Sequence, residues 1–198
     1  MIFLVTGARG TYGSVITDEL RLNGHVVYEA QKKPRKYENP DIAIEFWLST
    51  DFDDAADMVL LGQQFYTRDI KLDGVVHCVK RDDRVNDDDA SIFQVEHHIA
   101  VNVLNPIFLT RYLRDFGVLT TKARVLFPLD KTEKQKSTPY SISKSIVVTA
   151  VQAILKDTLD VFYPVFPDAD GTDSVTVASN VCELLTDSIA PKSQLIPM

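Results

Sequence analysis

The chain has 198 residues, enough for one domain with a sizeable core, and 45% of them are hydrophobic, as in an ordinary globular protein. Its formal charge of -7 argues against a general binder of nucleic acid or anionic membrane, whose surfaces carry a basic excess. Two cysteines, Cys78 and Cys182, are too few for a disulfide framework or a metal site, and no apolar run approaches the length of a membrane span.

Residues 2–5 form a short apolar run, the pattern of a buried parallel strand. Thr6-Gly7-Ala8-Arg9-Gly10-Thr11-Tyr12-Gly13 follows and reads as a phosphate-binding turn. Gly7 permits a tight turn, Gly10 lets the backbone approach a pyrophosphate, and Gly13 lets the next helix pack closely on the sheet. The amides at that helix N-terminus attract the anion. Residues 14–22 carry Val15, Ile16, Leu20 and Leu22 at helical spacing, Asn23-Gly24 stops the helix, and residues 25–30 read as a second strand.

The basic segment Gln31-Lys32-Lys33-Pro34-Arg35-Lys36 comes next. In a dinucleotide fold an acidic residue near this strand end holds a ribose 2′-hydroxyl, whereas basic residues accommodate a 2′-phosphate. Gln31 and Lys32 at that place favour NADP, with Arg9 contributing from the turn; Glu29 is the competing ribose ligand if the strand ends two residues earlier. Residues 42–48 read as a third strand, and Asp51 follows where an adenine would lie or where a helix cap would stand. A helix is expected over 53–69 and a fourth, central strand over 73–79. The charged stretch 80–89 is a loop at the carboxyl end of that strand, where ligands bind in open α/β sheets.

Residues 91–114 carry one long helical pattern that includes Asn102. A fifth strand over 123–129 is interrupted by Pro128, a helix spans 139–155, a sixth strand 160–166, a last helix 174–189, and residues 194–196 add a seventh strand. The alternation predicts one domain, 1–198, of α/β class: a Rossmann-like doubly wound parallel sheet of about seven strands with helices on both faces. Tyr140 and Lys144, four residues apart, share a helix face, and an ammonium beside a phenol favours the phenolate and so suits proton transfer. His97 and His98, adjacent on a helix, point in different directions and read as surface or boundary residues, with no metal site expected.

Thr6-Gly7-x-x-Gly10-x-x-Gly13, Asn102 in Val-Asn-Val-Leu and Tyr140-x-x-x-Lys144 together resemble the short-chain dehydrogenase/reductase family over nearly the whole chain. The resemblance implies an oxidoreductase that passes hydride between a nicotinamide and a carbonyl or alcohol. Tyr140 would be its general acid or base, Lys144 would lower the tyrosine pKa and hold the ribose, and Asn102 would hold a proton-relay water. Gly7, Arg9, Gly10, Tyr12, Gly13, Gln31, Lys32, Asp51, Cys78 and Lys144 would line the NADP site. It also implies a homodimer or homotetramer built through the helices carrying Asn102 and Tyr140, with Ile99, Phe108 and Tyr112 widening the apolar surface.

The chain departs from the family pattern in several places. The serine expected at the end of the fifth strand is absent from Val125-Leu126-Phe127-Pro128-Leu129-Asp130, and Asp130 stands nearest its position. Cys78-Val79-Lys80 replaces Asn-Ala-Gly, Tyr163-Pro164-Val165-Phe166-Pro167-Asp168 replaces the Pro-Gly after the sixth strand, and the lid segment is compressed into 167–173. These losses leave a non-catalytic dinucleotide-binding protein as the alternative. The N-terminus enters a strand with no basic leader, which makes the cytoplasm the default location.

Overall fold

A computed structural model describes residues 1–33, 46–81, 91–130, 138–155, 159–166, 174–186 and 195–197, apart from the side chains of Asp130 and 195–197. In chain order the elements are β1 (Ile2–Thr6), α1 (Thr11–Leu22), β2 (Val26–Gln31), β3 (Trp47–Ser49), α2 (Ala55–Thr67) and β4 (Leu72–His77). Then come α3 (Ile92–Ile99), a π-helical turn (Ala100–Leu104), α4 (Asn105–Asp115), β5 (Leu119–Leu126) and β6 (Leu129–Asp130). The chain continues through α5 (Thr138–Ser145), α6 (Val147–Leu155), β7 (Asp160–Phe166), α7 (Ser174–Thr186) and β8 (Leu195–Pro197).

All strand pairs are parallel, and neighbours run β3-β2-β1-β4-β5-β7, with β6 and β8 both on β7. Leu126 faces Phe162 and Leu129 faces Val165, so β6 keeps the register of β5 and continues it beyond the break at Phe127-Pro128. Proline has no amide hydrogen for the ladder, which accounts for that break. The eight segments therefore occupy the seven strand positions expected from the sequence.

Strand residues alternate between two cores. Phe3, Val5, Val76, Leu126 and Phe162 face α1 and α7, while Leu4, Val75, Val125 and Val161 join the core formed by α2, α4 and α6. This period of two is what a pleated strand buried on both faces requires. Because β1 lies between β2 and β4, the chain reverses its direction of progress across the sheet there. The carboxyl ends of β1 and β4 consequently open a crevice, the position where ligands enter such sheets.

Two expected helices are not continuous. The 91–114 pattern contains a wide turn in which the Asn105 amide donates to the Ala100 carbonyl. Pro106 supplies the cause: it has no amide hydrogen for the Asn102 carbonyl, and its ring would press on it in a regular helix. The 139–155 pattern divides at Ile146. Just before this point Ser143 and Ser145 hydroxyls donate to the Tyr140 and Ile142 carbonyls at 2.7 and 2.8 Å, a back-bonding that bends helices. Residues 42–45, 187–189 and 194, included in predicted elements, lie outside the described residues.

Within the α1 face, half-buried Arg21 pairs with buried Glu29 at 2.9 Å, and Arg21 also donates to the Val27 carbonyl at 2.9 Å. Removing one member leaves the other charge stranded. Arg21→Met is expected to destabilise the fold by roughly 3 kcal/mol, and Arg21→Met with Glu29→Met to recover most of that loss. Urea denaturation of the three proteins checks it, and equal stability of the single and double variants would contradict it.

Candidate functional site

The turn after β1 is built around Gly7, whose φ of +64° lies in the left-handed region. A Cβ there would stand 2.7 Å from the Val79 Cα and amide nitrogen, so only glycine allows the loop after β4 to cross it. The Thr6 carbonyl and hydroxyl hold that loop, accepting from the Cys78 and Val79 amides at 3.1 and 3.3 Å. Gly13 is needed equally, since a Cβ on it would collide with the Gly7 carbonyl. α1 thus begins beside the turn, and Tyr12 in its first turn packs on Phe166 with ring centroids 4.6 Å apart.

A cleft of about 540 Å³ opens here. Its wall includes Gly7, Arg9, Gly10, Tyr12 and Gly13 from the turn, Gln31 and Lys32 from the β2 end, and Cys78 and Lys144 from the far side. These are the expected cofactor residues except Asp51, which lines an adjoining cleft of about 350 Å³ with Phe52, Asp53 and Arg81. Thr50 and Val101 also contribute to that second cleft.

At the β2 end the competing ribose ligand is eliminated. Glu29 is 1% exposed, paired with Arg21 and accepting from Gln31 Nε2 at 3.1 Å. Gln31 belongs to the cleft wall, and its Oε1 is buried and without a partner. Lys32 Nζ lies 2.8 Å from Asp51 and 3.1 Å from Asp53, which raise its pKa. Asp51 also accepts from the Asp53 amide, while the cap of α2 is Asp54. Burial opposes ionisation of Asp53, but Lys32 and His97 outweigh it and hold its pKa below the ordinary value. Arg81 adds an ion pair to Asp53 at 3.2 Å. The basic residues 34–36 lie outside the described residues.

Asn102, buried in the π turn, is a two-sided clamp. Its Oδ1 accepts from the Arg81 amide at 2.6 Å, while Nδ2 donates to the Arg81 carbonyl at 3.0 Å and to Ser143 Oγ at 2.9 Å. Both amide hydrogens are therefore used, and one lone pair of Oδ1 remains for a relay water. Lys144 reaches the cleft wall and donates to the Pro128 carbonyl at 3.3 Å. Its Nζ also lies 5.9 Å from the Tyr140 ring centroid. Tyr140 is only 2% exposed and does not belong to the cleft wall. Asp130's side chain and the segments 82–90 and 167–173 lie outside the described residues.

The sequence reading missed His77, although a polar residue inside an apolar strand was a visible signal. Thr110 Oγ1 gives its proton to the Pro106 carbonyl at 3.0 Å, so at 2.7 Å it accepts from His77 Nε2. Nδ1 is then a lone-pair acceptor, buried and without a partner, on a residue of the cleft wall. Burial lowers the His77 pKa to about 3, and it raises that of Cys78 to about 12 against an opposing effect of Lys144, which keeps Cys78 a thiol. Of the two adjacent histidines, His97 is half-exposed on Asp53, but His98 is buried and bound to the Gln94 carbonyl. Among the described residues no cluster of metal-ligating side chains occurs, and no helix is long and apolar enough to cross a membrane.

The glycine turn, the crevice beside it and the strand order match a known pattern of sequence. Residues 3–166 fit the NAD dependent epimerase/dehydratase family. The chain belongs to that family. The short-chain dehydrogenase/reductase resemblance is thereby borne out, and solved structures share the fold. A short chain dehydrogenase family protein from Francisella tularensis subsp. tularensis SCHU S4 matches with a TM-score of 0.81 at 15% identity, covering 100% of this chain and 96% of that one. An oxidoreductase of the short chain dehydrogenase/reductase family from Brucella ovis, solved with a partially ordered NAD, matches at 0.80 and 18% identity, covering 98% and 97%. BdcA in complex with NADPH matches at 0.75 and 14% identity, covering 99% and 92%. No curated protein matches the sequence.

Burial of neutral His77 links stability to pH. Its pKa is about 3 folded against an ordinary 6.5, so between these values only the unfolded chain takes up the proton. Its contribution is complete above the unfolded value and is lost as pH falls, at up to about 1.4 kcal/mol per pH unit. The stability difference between the wild type and His77→Phe should therefore shift in favour of the variant from about pH 7 to about pH 4. Urea denaturation at each pH measures it, and a constant difference would contradict neutral burial.

Proposed function

We propose that the protein is a nicotinamide-dinucleotide-dependent oxidoreductase, interconverting a carbonyl and an alcohol, with NADP preferred. The observation that carries this is the single cleft joining the glycine turn, the β2 end and Lys144. The residues present fit such a group. The turn excludes side chains where a pyrophosphate would approach, and Gln31 and His77, whose Oε1 and Nδ1 are buried without a partner, both belong to the cleft wall. The NADP preference rests on Arg9, Lys32 and Lys33 in the cleft wall and on Glu29 being committed to Arg21. The Brucella ovis neighbour was solved with NAD and BdcA with NADPH, so relatives of this fold use both.

When bound, the nicotinamide supplies hydride transfer, and the chain's residues place and protonate. Tyr140 is the proton donor for reduction or acceptor for oxidation, and Lys144 holds the ribose while its charge stabilises the phenolate. Asn102 positions the loop after β4 and the Tyr140 helix through Arg81 and Ser143. A second reading, a dinucleotide-binding protein without turnover, is favoured by Tyr140's burial and by the lack of a hydroxyl in Leu126-Phe127-Pro128-Leu129.

Titration with NADPH and NADH, followed by nicotinamide fluorescence, tests the site: NADPH is expected to bind at least tenfold more tightly, and changing Lys32 and Lys33 to alanine to remove most of that difference. In a screen of carbonyl substrates, Tyr140→Phe should abolish turnover with NADPH affinity nearly unchanged. Turnover surviving in this variant would remove Tyr140 as the acid, and cofactor binding without turnover by the wild type would favour the second reading.

A homodimer or homotetramer formed by α3 and α5 belongs to the same proposal. Ile99 and Tyr112 pack inward on the core and Phe108 is half-buried, so the exposed apolar side chains there are Ile92, Phe93 and Ile142. Phe93→Asp is expected to convert the oligomer to monomer in sedimentation velocity, whereas a monomeric wild type at micromolar concentration would refute the assembly.

A further inference from the structure

Resting on that reading of the cleft, we propose that Asp53 is a specificity-determining residue: its carboxylate is a counter-charge that competes with the cofactor's 2′-phosphate for the Lys32 ammonium and so limits the preference for NADP over NAD. Asp53 stands where three parts of the chain meet. One of its carboxylate oxygens lies 3.1 Å from Lys32 Nζ, just after β2. The other lies 3.2 Å from Arg81 Nη1, after β4, and 2.9 Å from His97 Nε2 on α3. Lys32 belongs to the walls of both clefts and Asp53 to that of the smaller one, so their ion pair sits where the two clefts adjoin.

The sign of the effect follows from the charges. Burial opposes ionisation of Asp53, but Lys32 and His97 outweigh it, so the carboxylate is ionised at neutral pH. Asp51 adds a second carboxylate 2.8 Å from Lys32. Lys32 and Arg81 are thus matched by Asp51 and Asp53, and the group presents no net positive charge when His97 is neutral. A phosphate monoester brings about two negative charges near neutral pH. To meet it, Lys32 must be drawn from Asp53 or shared with it, and a carboxylate beside the shared ammonium repels the phosphate. A 2′-hydroxyl brings no charge, so NAD escapes this cost. Asp53 also orders Lys32, which acts in the opposite sense, but ordering of this kind is weak. The Lys32 side chain is 57% exposed and that of Asp53 36%, and ion pairs so open to water hold a flexible lysine loosely. Screening lowers the repulsion too, but the higher charge of the phosphate keeps it the larger of the two effects.

Calorimetric titration with NADPH and with NADH tests the assignment. Asp51 also accepts from the Asp53 amide and so shapes the turn, which makes Asp53 the residue to change. Asp53→Asn keeps the shape and one acceptor oxygen and removes only the charge. It should bind NADPH about fivefold more tightly than the wild type, and the ratio of NADPH to NADH affinity should rise with it. Asp53→Glu, which keeps the charge, should hold that ratio near the wild-type value. Damage to the cleft has the opposite signature, since it weakens both cofactors. NADPH affinity in Asp53→Asn equal to or below that of the wild type overturns the inference and leaves the cofactor reading intact. A gain shared by Asp53→Glu, or one that NADH shows equally, also overturns it, because the cause is then not the charge opposed to a 2′-phosphate. A wild type that binds the two cofactors equally removes the NADP preference and the inference with it, and one that binds neither refutes the cofactor reading itself.

Discussion

The Val79 backbone lies against Gly7, and this contact ties the two walls of the ligand cleft together. It follows from the sheet, because β1 and β4 run parallel with Thr6 opposite His77, and their carboxyl ends finish at one level. Thr6 then holds the emerging loop with its carbonyl and its hydroxyl. A side chain on residue 7 would require a left-handed conformation that L residues resist, and it would push the loop away from the turn. From that point the constraint passes outward through Arg81 to Asn102, and through Asn102 to Ser143 on the helix of Tyr140 and Lys144. The glycine turn and the proposed proton donor are thus connected by backbone contact and hydrogen bonds.

Two buried relays end at this cleft. Arg21, Glu29 and Gln31 form one, and Pro106, Thr110 and His77 form the other. Each relay uses its donors internally and leaves one acceptor, Gln31 Oε1 or His77 Nδ1, without a partner. A buried polar atom left in this way costs about 1–3 kcal/mol, and native folds keep few of them. Both residues belong to the cleft wall. His98 Nε2 shares the property without belonging to either cleft, and the ligand offers no account of it.

The sheet was legible because strands buried on both faces must be apolar, and Ile2 to Val5 or Val75 and Val76 have no other economical place. The glycine turn was legible for a similar reason: few sequences need three small residues at that spacing. Pro106 was equally visible, but a helical pattern of apolar residues runs through it and conceals the wide turn it imposes. Glu29 illustrates the opposite difficulty. Its place near the β2 end admitted a ribose, and only its three-dimensional pairing with Arg21, eight residues earlier in the chain, removes it. The burial of Tyr140 is of the same kind, since spacing places it on a face with Lys144 but cannot say what covers that face.

At the end of β5 the local chemistry differs from the family pattern in a directed way. The strand breaks at Pro128, the carbonyl of that proline accepts from Lys144, and Phe127-Pro128-Leu129 carries no hydroxyl. A carbonyl accepts hydrogen bonds and cannot donate one to a substrate oxygen. Phe127-Pro128-Leu129 therefore offers no side-chain hydroxyl to a ligand in the cleft. Tyr12 and Phe166, both on the cleft wall, pack ring on ring. The hydrogen bond that holds the Lys144 ammonium thus ends on the same proline that interrupts the strand.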